Sequence, residues 1–154
     1  MPKINVPANF FNQREIKFRQ KTIDGNGKKV FHYWGFMENG DFISPIQSAN
    51  RTFHMAQKNS EQYTGLKDKN GKKIYEGDMV KDYDDLHDSI REVRFGETCI
   101  DASDYEQHCE FVIGFYLTNY LDNVNETEGL SSGKTRDLEI IGNIYEHSHL
   151  LNDK

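Results

Sequence analysis

The chain has 154 residues, of which 36% are hydrophobic, and a formal net charge of −6 at pH 7. This length fits one domain or two small ones and can bury an ordinary core without disulfides, and the two cysteines, Cys99 and Cys109, are too few for a disulfide framework. Because no window has the roughly 20 apolar residues of a membrane span and residues 1–10 lack the apolar centre of a signal peptide, we expect a cytoplasmic protein.

The first part of the chain is typical of β-hairpins. Apolar and basic side chains alternate over residues 15–22, which predicts a strand with one apolar and one basic face. The sequence DGNG at 24–27 predicts a tight turn, and the aromatic-rich residues 29–37 supply the partner strand. The run 42–45 ends at Pro45, which cannot donate to a sheet, so we predict an edge strand there.

Periodicity fades over residues 48–61, which predicts a short helix or a linker. Within DKNGK, Asn70-Gly71 indicates a type I′ turn between two short strands, with Leu66 and Ile74 on one side. Residues 75–78 predict a second reversal. Further strands are predicted over residues 79–83, 90–95, 110–117 and 138–145, and a single helical turn over 147–151.

Three segments of the chain resemble the YopX family of phage and prophage proteins. Residues 62–81, QYTGLKDKNGKKIYEGDMVK, resemble a segment that its members share, while Arg14–Arg19 and Leu138–Leu151 resemble the opening and the end of the family. The three segments occur in the family's order. The resemblance implies no assigned activity, because the family has none, and any function peculiar to this member would depend on residues 20–61 and 82–137.

The predicted fold is α+β and mainly antiparallel β, with an N-terminal β-hairpin region over residues 1–61. Residues 62–154 form a C-terminal region that resembles a small SH3-like barrel, because the Gly77-Asp78 pair is similar to the start of the second strand region in such barrels. The two regions are either separate domains or one compact unit.

Charge is divided unevenly along the chain. Residues 1–60 contain 9 Lys and Arg against 4 Asp and Glu, whereas residues 61–154 contain 10 against 21. This asymmetry indicates either a basic half that faces nucleic acid or complementary surfaces that meet within the fold or in an oligomer. The second interpretation is favoured.

The basic half provides the candidate nucleic-acid-binding residues. Its cations would contact phosphates and its aromatic rings would stack on bases. The candidates are Arg14, Lys17, Arg19, Lys21, Lys28, Lys29, Tyr33 and Trp34. The alternative is that the basic side chains protect a strand edge while the aromatic rings fill the core.

Residues 82–110 are strongly acidic and are either a solvated loop or a mimic of nucleic-acid charge that inhibits a host protein. EF-hand spacing is absent, because a loop starting at Asp82 would have Leu86 and His87 at its fifth and sixth positions. The only Cys/His group consists of His87, Cys99, His108 and Cys109, and it lacks the close Cys pairs of zinc sites. We therefore predict no metal and no cofactor.

No serine lies in a nucleophile-elbow pattern, and DGNGKK lacks the spacing of a phosphate-binding loop. The sequence therefore predicts a non-catalytic phage or prophage accessory protein that binds nucleic acid. The alternatives are a protein-protein interaction module or an acidic inhibitor of a host protein, and an uncharacterised enzyme is the least favoured interpretation. Unpaired strand edges and aromatic patches also predict self-association into a homo-oligomer.

Overall fold

The computed structural model describes residues 15–37, 39–46, 60–83, 89–101, 109–119 and 127–147. These residues form ten strands and a short 3-10 helix, Lys134–Arg136. The strands are β1 (Lys17–Ile23), β2 (Lys29–Phe36), β3 (Phe42–Ile43), β4 (Ser60–Lys67), β5 (Lys73–Tyr75), β6 (Asp78–Asp82), β7 (Ile90–Asp101), β8 (Cys109–Asn119), β9 (Thr127–Gly129) and β10 (Leu138–Asn143).

The strands form two antiparallel five-stranded sheets, which confirms the prediction of a mainly antiparallel protein. The strand order is β3-β2-β1-β4-β5 in the first sheet and β10-β6-β7-β8-β9 in the second. Within the described residues neither sheet closes into a barrel, so the SH3-like barrel is not confirmed. The same residues contain no α-helix, so the α+β class is not confirmed either. No helix in this part of the chain is long and apolar enough to cross a membrane.

Two predicted helical segments fall mainly outside the described residues. Of residues 48–61, the structure describes only Ser60 and Glu61, which begin β4. Of residues 147–151, it describes only His147. Both helical segments therefore stay predictions.

Two hairpins of the first sheet have the same hydrogen-bonded loop, which begins at Asp24 in one hairpin and at Asp68 in the other. In the second of these, Gly71 N donates to Asp68 O at 2.9 Å and Asp68 N donates to Lys72 O at 2.8 Å. This pattern encloses three loop residues, one more than the predicted type I′ turn. The Asp68 carboxylate closes the loop by accepting hydrogen bonds from the backbone N–H groups of Asn70 and Lys72, both at 2.9 Å.

The main core lies where the two sheets meet. Its five fully buried members are Ile74, Val80, Val93, Leu117 and Leu138. Ile74 belongs to the first sheet and the other four to the second sheet or its edge. Leu66 packs against this cluster, which confirms that Leu66 and Ile74 point to one side. Both sheets therefore depend on burial of the same apolar side chains.

Backbone hydrogen bonds also join the sheets at the β5–β6 turn. Gly77 N donates to Val93 O at 2.8 Å, and Ile144 N donates to Gly77 O at 3.0 Å. The first sheet extends to Tyr75, so the boundary between the two sheets falls at this turn. Whether residues 1–61 and 62–154 fold separately stays untested.

Candidate functional site between the two sheets

Arg19 on β1 is buried and joins the two sheets through charged hydrogen bonds. Its Nε donates to Glu61 Oε2 on β4, and its Nη1 donates to Asp78 Oδ1 on β6 at 2.6 Å. Its Nη2 donates to the Glu76 carbonyl at 3.1 Å. The other oxygen of Asp78 accepts from Tyr75 N at 2.8 Å. This network fixes the guanidinium between the sheets.

Aromatic rings enclose the same guanidinium. The Arg19 Cζ atom lies 4.7 Å from the centre of the Phe31 ring and 5.0 Å from that of Tyr75. Burial raises the pKa values of Glu61 and Asp78, and the positive charge of Arg19 opposes that rise. The arginine therefore carries the compensating charge for two buried acids.

Beside this network a cleft of about 680 Å³ opens between the sheets. Side chains from β1, β4, β7 and β8, from the β5–β6 turn and from the segment after β10 form its walls. The lining residues are Lys21, Ser60, Glu61, Glu76, Gly77, Glu92, Arg94, Phe95, Tyr116, Ile144 and Tyr145. The cleft is therefore mainly polar, with aromatic rings on its walls.

Three glutamates line the cleft, and each has a different environment. Glu61 is 7% exposed and pairs with Arg19 through one oxygen. Glu92 pairs with Arg94, whose Nη2 lies 3.1 Å from Glu92 Oε2. Within the described residues, no cationic side chain forms an ion pair with the carboxylate of Glu76, although Arg19 donates to its backbone carbonyl. Burial and the nearby charge of Glu92 raise the pKa of Glu76, against a hydrogen bond from the Gln62 backbone that lowers it.

The opening of the cleft combines cations with exposed aromatic rings. Lys21 Nζ lies 4.2 Å from the centre of the Tyr145 ring. Tyr145 is 38% exposed and Phe95 is 47% exposed. Burial and the neighbouring carboxylate of Glu61 raise the pKa of Tyr145 to about 12, so its hydroxyl stays protonated at neutral pH. Exposed aromatic rings and a cation therefore lie on the same lining as the carboxylates.

We predict that Glu76→Gln raises the free energy of unfolding at pH 7 and has a smaller effect at pH 4. The pKa of Glu76 in the folded protein lies above its ordinary value of 4.5, so folding favours the protonated form. Its contribution to stability is therefore present at low pH and is lost as pH rises through the folded-state pKa. Glutamine resembles the protonated form at every pH.

Urea denaturation of both proteins at pH 4 and pH 7 measures this effect. Glu97→Gln, an exposed position on β7, is the matched control and should leave the difference between the two pH values as in the wild type. A glutamine variant at position 76 that is less stable than the wild type at pH 7 would show that the carboxylate stabilises the fold.

Three of the predicted nucleic-acid-binding residues are buried. Arg19 belongs to the network described above, and Lys17 lies 2.9 Å from Glu15 Oε2 in an ion pair. Trp34 is 3% exposed, stacks on Phe18 at 4.2 Å between ring centres and donates from Nε1 to Ser60 Oγ at 2.9 Å. These three side chains are engaged in the fold, and Arg14 lies outside the described residues.

The other four candidates are accessible but lie in different places. Lys28 and Lys29 are exposed at the β1–β2 turn, whereas Lys21 lines the cleft. Tyr33 is exposed, and its ring lies 5.7 Å from that of Tyr75. The structure therefore does not gather the seven described candidates into one surface, and nucleic-acid binding stays a prediction that depends on the accessible side chains.

Some charged side chains of the basic and acidic halves of the chain pair with one another within the fold. Arg19, from the basic half, pairs with Glu61 and Asp78 from the acidic half. Lys73 of the acidic half lies 2.9 Å from Glu15 of the basic half. The Arg19 contacts agree with the interpretation of complementary surfaces, which stays a prediction for the chain as a whole.

Sequence reasoning missed the glutamates and Tyr145 as site residues. In YEGDMV, the reversal at Gly77 was predicted, and the structure gives this glycine a φ of 76°. Glu76 and Asp78 flank Gly77 in the sequence. These two acidic residues were a local indication that carboxylates lie where the two sheets join. Nothing local to Glu61 or Tyr145 indicates that they lie in the same cleft.

The predicted absence of metal ligands is not tested. His87, His108 and the side chains of Cys99 and Cys109 lie outside the described part of the structure. Within that part, no group of three or more His, Cys, Asp or Glu side chains is arranged to hold a metal ion.

Comparison with known proteins agrees with the resemblance found in the three sequence segments. The model of one family, described as YopX protein, matches residues 17–152. No curated protein matches the chain. The match spans both sheets, the Arg19 network and the cleft. The chain therefore belongs to the YopX family.

Proposed function

We propose that this YopX-family protein is a non-catalytic accessory protein of a phage or prophage and that the cleft between its sheets binds a macromolecular partner. The observation that carries the proposal is the combination, in one cleft, of partly exposed rings with buried carboxylates. Aromatic and charged groups that converge in a concave site are typical of recognition surfaces. Protein is the favoured partner class, because carboxylates repel the phosphates of nucleic acid.

Two of the three glutamates on the described lining of the cleft are held in ion pairs with arginines, which favours binding over catalysis. Hydrolysis of glycosides, for example, needs two carboxyl groups with separate roles. Here Glu61 is held by Arg19 and Glu92 by Arg94, so among the described residues Glu76 is the lining glutamate whose carboxylate forms no ion pair. Ser60 is the one serine or threonine among the described lining residues. Its Oγ accepts a hydrogen bond from Trp34 Nε1.

NMR titration of the isotope-labelled protein tests whether the cleft binds ligands. Three probes of equal length would be compared, namely hexa-arginine, hexaglutamate and hexathymidylate. Saturable shifts of the Gly77 and Tyr145 amides with any one probe would support the proposal. If all three probes leave these signals unchanged at millimolar concentration, the cleft is not a binding site of this kind.

Nucleic acid remains a second candidate because two candidate lysines are exposed side by side at the β1–β2 turn. We predict that Lys28→Glu/Lys29→Glu weakens any binding of single- or double-stranded DNA or RNA. Each lost phosphate contact should reduce the slope of log affinity against log salt by about 1. Fluorescence anisotropy at low and near-physiological salt measures both quantities.

A second lysine pair provides the control for this experiment. Lys67→Glu/Lys72→Glu makes the same change in net charge at exposed positions of the β4–β5 hairpin. An equal loss in both variants would indicate general electrostatic attraction and contradict a site at the β1–β2 turn. Substitution of Lys17 or Arg19 would not serve here, because both side chains are buried in ion pairs.

Two further proposals come from the sequence. Most of the acidic residues in 82–110 lie outside the described side chains, so inhibition of a host protein through this segment stays a proposal. Self-association also stays a proposal, and strands β3 and β5 at the edges of the first sheet offer backbone groups for it. Light scattering after size-exclusion chromatography would measure the oligomeric state.

A further inference from the structure

Three turns of the first sheet expose an asparagine that is followed by glycine. An asparagine in this position is open to attack on its own side chain, because glycine has no side chain to hinder its backbone nitrogen and its backbone is permissive. The three turns therefore offer the same chemistry, and their surroundings decide which one reacts first. The pairs are Asn26-Gly27, Asn39-Gly40 and Asn70-Gly71.

The reaction at such a pair consumes only water. The glycine nitrogen loses its proton and forms a bond to the asparagine Cγ atom, and ammonia leaves from that atom. Water then opens the resulting five-membered imide at one of its two carbonyl carbons. Opening at Cγ gives aspartate, whereas opening at the backbone carbonyl gives isoaspartate, in which the chain continues through the side-chain carbon. Each event replaces a neutral amide with a carboxylate.

The attacking nitrogen has the same backbone contact in all three turns. Each glycine N–H donates to the carbonyl three residues earlier, at 3.0 Å for Gly27 and at 2.9 Å for Gly40 and Gly71. Loss of this hydrogen bond is a requirement that the three sites share. It therefore does not distinguish them, and the side chains of the asparagines do.

Hydrogen bonds restrain the carboxamides of Asn39 and Asn70. Asn39 Nδ2 donates to Asp41 Oδ2 at 2.6 Å, and Asn39 Oδ1 accepts from Asp41 N at 3.1 Å. Lys69 and Asn70 both donate hydrogen bonds to the Glu139 carboxylate and lower its pKa. Attack on Cγ requires the carboxamide to turn away from these partners, so the reaction is slowed at both sites.

The carboxamide of Asn26 is free of such restraint. Within the described residues this side chain makes no hydrogen bond, and the backbone N–H of Asn26 donates to Asp24 Oδ1 at 2.9 Å. The side chain is exposed at the end of the β1–β2 hairpin. It can therefore rotate toward Gly27 N without breaking a contact.

The turn at Asn26 is also anchored less firmly than the matched turn at Asn70. Asp24 and Asp68 each accept two backbone hydrogen bonds within their own loops. Asp68 is 6% exposed and also accepts from Ile140 N in the second sheet, at 3.1 Å. In the described structure no such bond joins the Asp24 carboxylate to the second sheet. Local opening, which frees the glycine nitrogen, should therefore cost less at the Asn26 turn.

We propose that Asn26 is a modification site, at which spontaneous deamidation yields aspartate and isoaspartate faster than at Asn39 or Asn70. The new carboxylate lies beside the exposed Lys28 and Lys29 and adds one negative charge to the formal −6 of the chain. The reaction therefore weakens the positive potential of the β1–β2 turn. This inference does not depend on whether the cleft binds a partner.

Peptide mapping after incubation of the full chain at 37 °C and pH 7.5 tests the proposal. Cleavage after glutamate leaves each Asn-Gly pair in a peptide of its own, over residues 16–38, 39–61 and 62–76. Mass spectrometry measures the product at each site, and incubation in ¹⁸O-labelled water should place one label in each new carboxylate. We expect the rate at Asn26 to exceed the other two by about fivefold or more, because its turn opens more readily.

Two controls separate the effect of the fold from that of the sequence. In guanidinium chloride the turns are lost, so the three rates should agree within about twofold. Asp41→Ala removes the acceptor of Asn39 Nδ2 and should raise the rate at Asn39, while Asn26 in the same molecule should react as in the wild type. Circular dichroism reports whether this variant is folded.

Three results would overturn the proposal. The first is a rate at Asn39 or Asn70 in the folded protein that equals or exceeds the rate at Asn26. The second is an absence of product at Asn26 in the folded protein after the unfolded chain has been fully converted. The third is an unchanged rate at Asn39 in folded Asp41→Ala, which would show that carboxamide hydrogen bonds do not set the order of reaction.

Discussion

Replacing Arg19 with alanine is expected to lower the free energy of unfolding by about 3–5 kcal/mol, a large part of the stability of a small protein. The substitution leaves Glu61 and Asp78 buried without their cation. It also removes the donor to the Glu76 carbonyl, 57 residues away in sequence. Urea denaturation followed by circular dichroism measures the loss, which should be nearly independent of salt because the pairs are buried.

Two comparisons identify the cause of this loss. Arg19→Lys should lie between the wild type and the alanine variant, because lysine keeps the charge but cannot direct donors to three acceptors in one plane. Adding Glu61→Gln and Asp78→Asn to the alanine variant should restore part of the stability by removing the unpaired charges. Lys28→Ala, at an exposed position, should stay within about 0.5 kcal/mol of the wild type. If Arg19→Ala lowers the free energy of unfolding by no more than Lys28→Ala does, the network contributes little to stability.

Most strands and turns of the fold were predictable because their signals are local. Alternation over residues 15–22 correctly predicted β1, and the structure places Lys17, Arg19 and Lys21 on one face. The sequences DGNG and DKNG predicted turns, because aspartate closes the loop and glycine adopts a positive φ. The predicted strands over 90–95 and 110–117 are present but longer, since cross-strand pairing extends both of them.

The orientation of β1 was not predictable from the same pattern. Its basic face was expected to meet solvent or phosphate, yet this face carries the buried Arg19. The reason lies in Glu61 and Asp78, which are 42 and 59 residues away in sequence and become neighbours only when the strands pair. Alternation identifies two faces of a strand, but the partners of each face decide which is buried. The cleft was missed for the same reason.

This pairing also links stability to the proposed function. Arg19 binds one oxygen of Glu61, and the other oxygen of this carboxylate is buried. The carboxylates that hold Arg19 between the sheets therefore lie beside or on the lining of the proposed binding cleft.

Gly35→Ala is expected to destabilise the protein by about 2–5 kcal/mol, combining backbone strain with steric overlap. Gly35 lies on β2 and pairs with Lys17 of β1 and Ile43 of β3. Its φ is 115°, far from any region that alanine adopts readily. A Cβ atom would overlap the carbonyl oxygen of Ile16, which accepts a hydrogen bond from Phe36 N at 3.0 Å. Because backbone atoms form this contact, rotation of a side chain cannot relieve it.

Gly27→Ala is the matched control for this prediction. Gly27 also has a positive φ, 79°, but no heavy atom lies within 4 Å of the position that a Cβ atom would occupy. Alanine there should cost only the strain of the left-handed backbone, about 1–2 kcal/mol. Urea denaturation of both variants measures the difference. Equal losses would show that the overlap with Ile16 is relieved by movement of β1, whereas a larger loss at Gly35 would show that the contact between β1 and β2 is rigid.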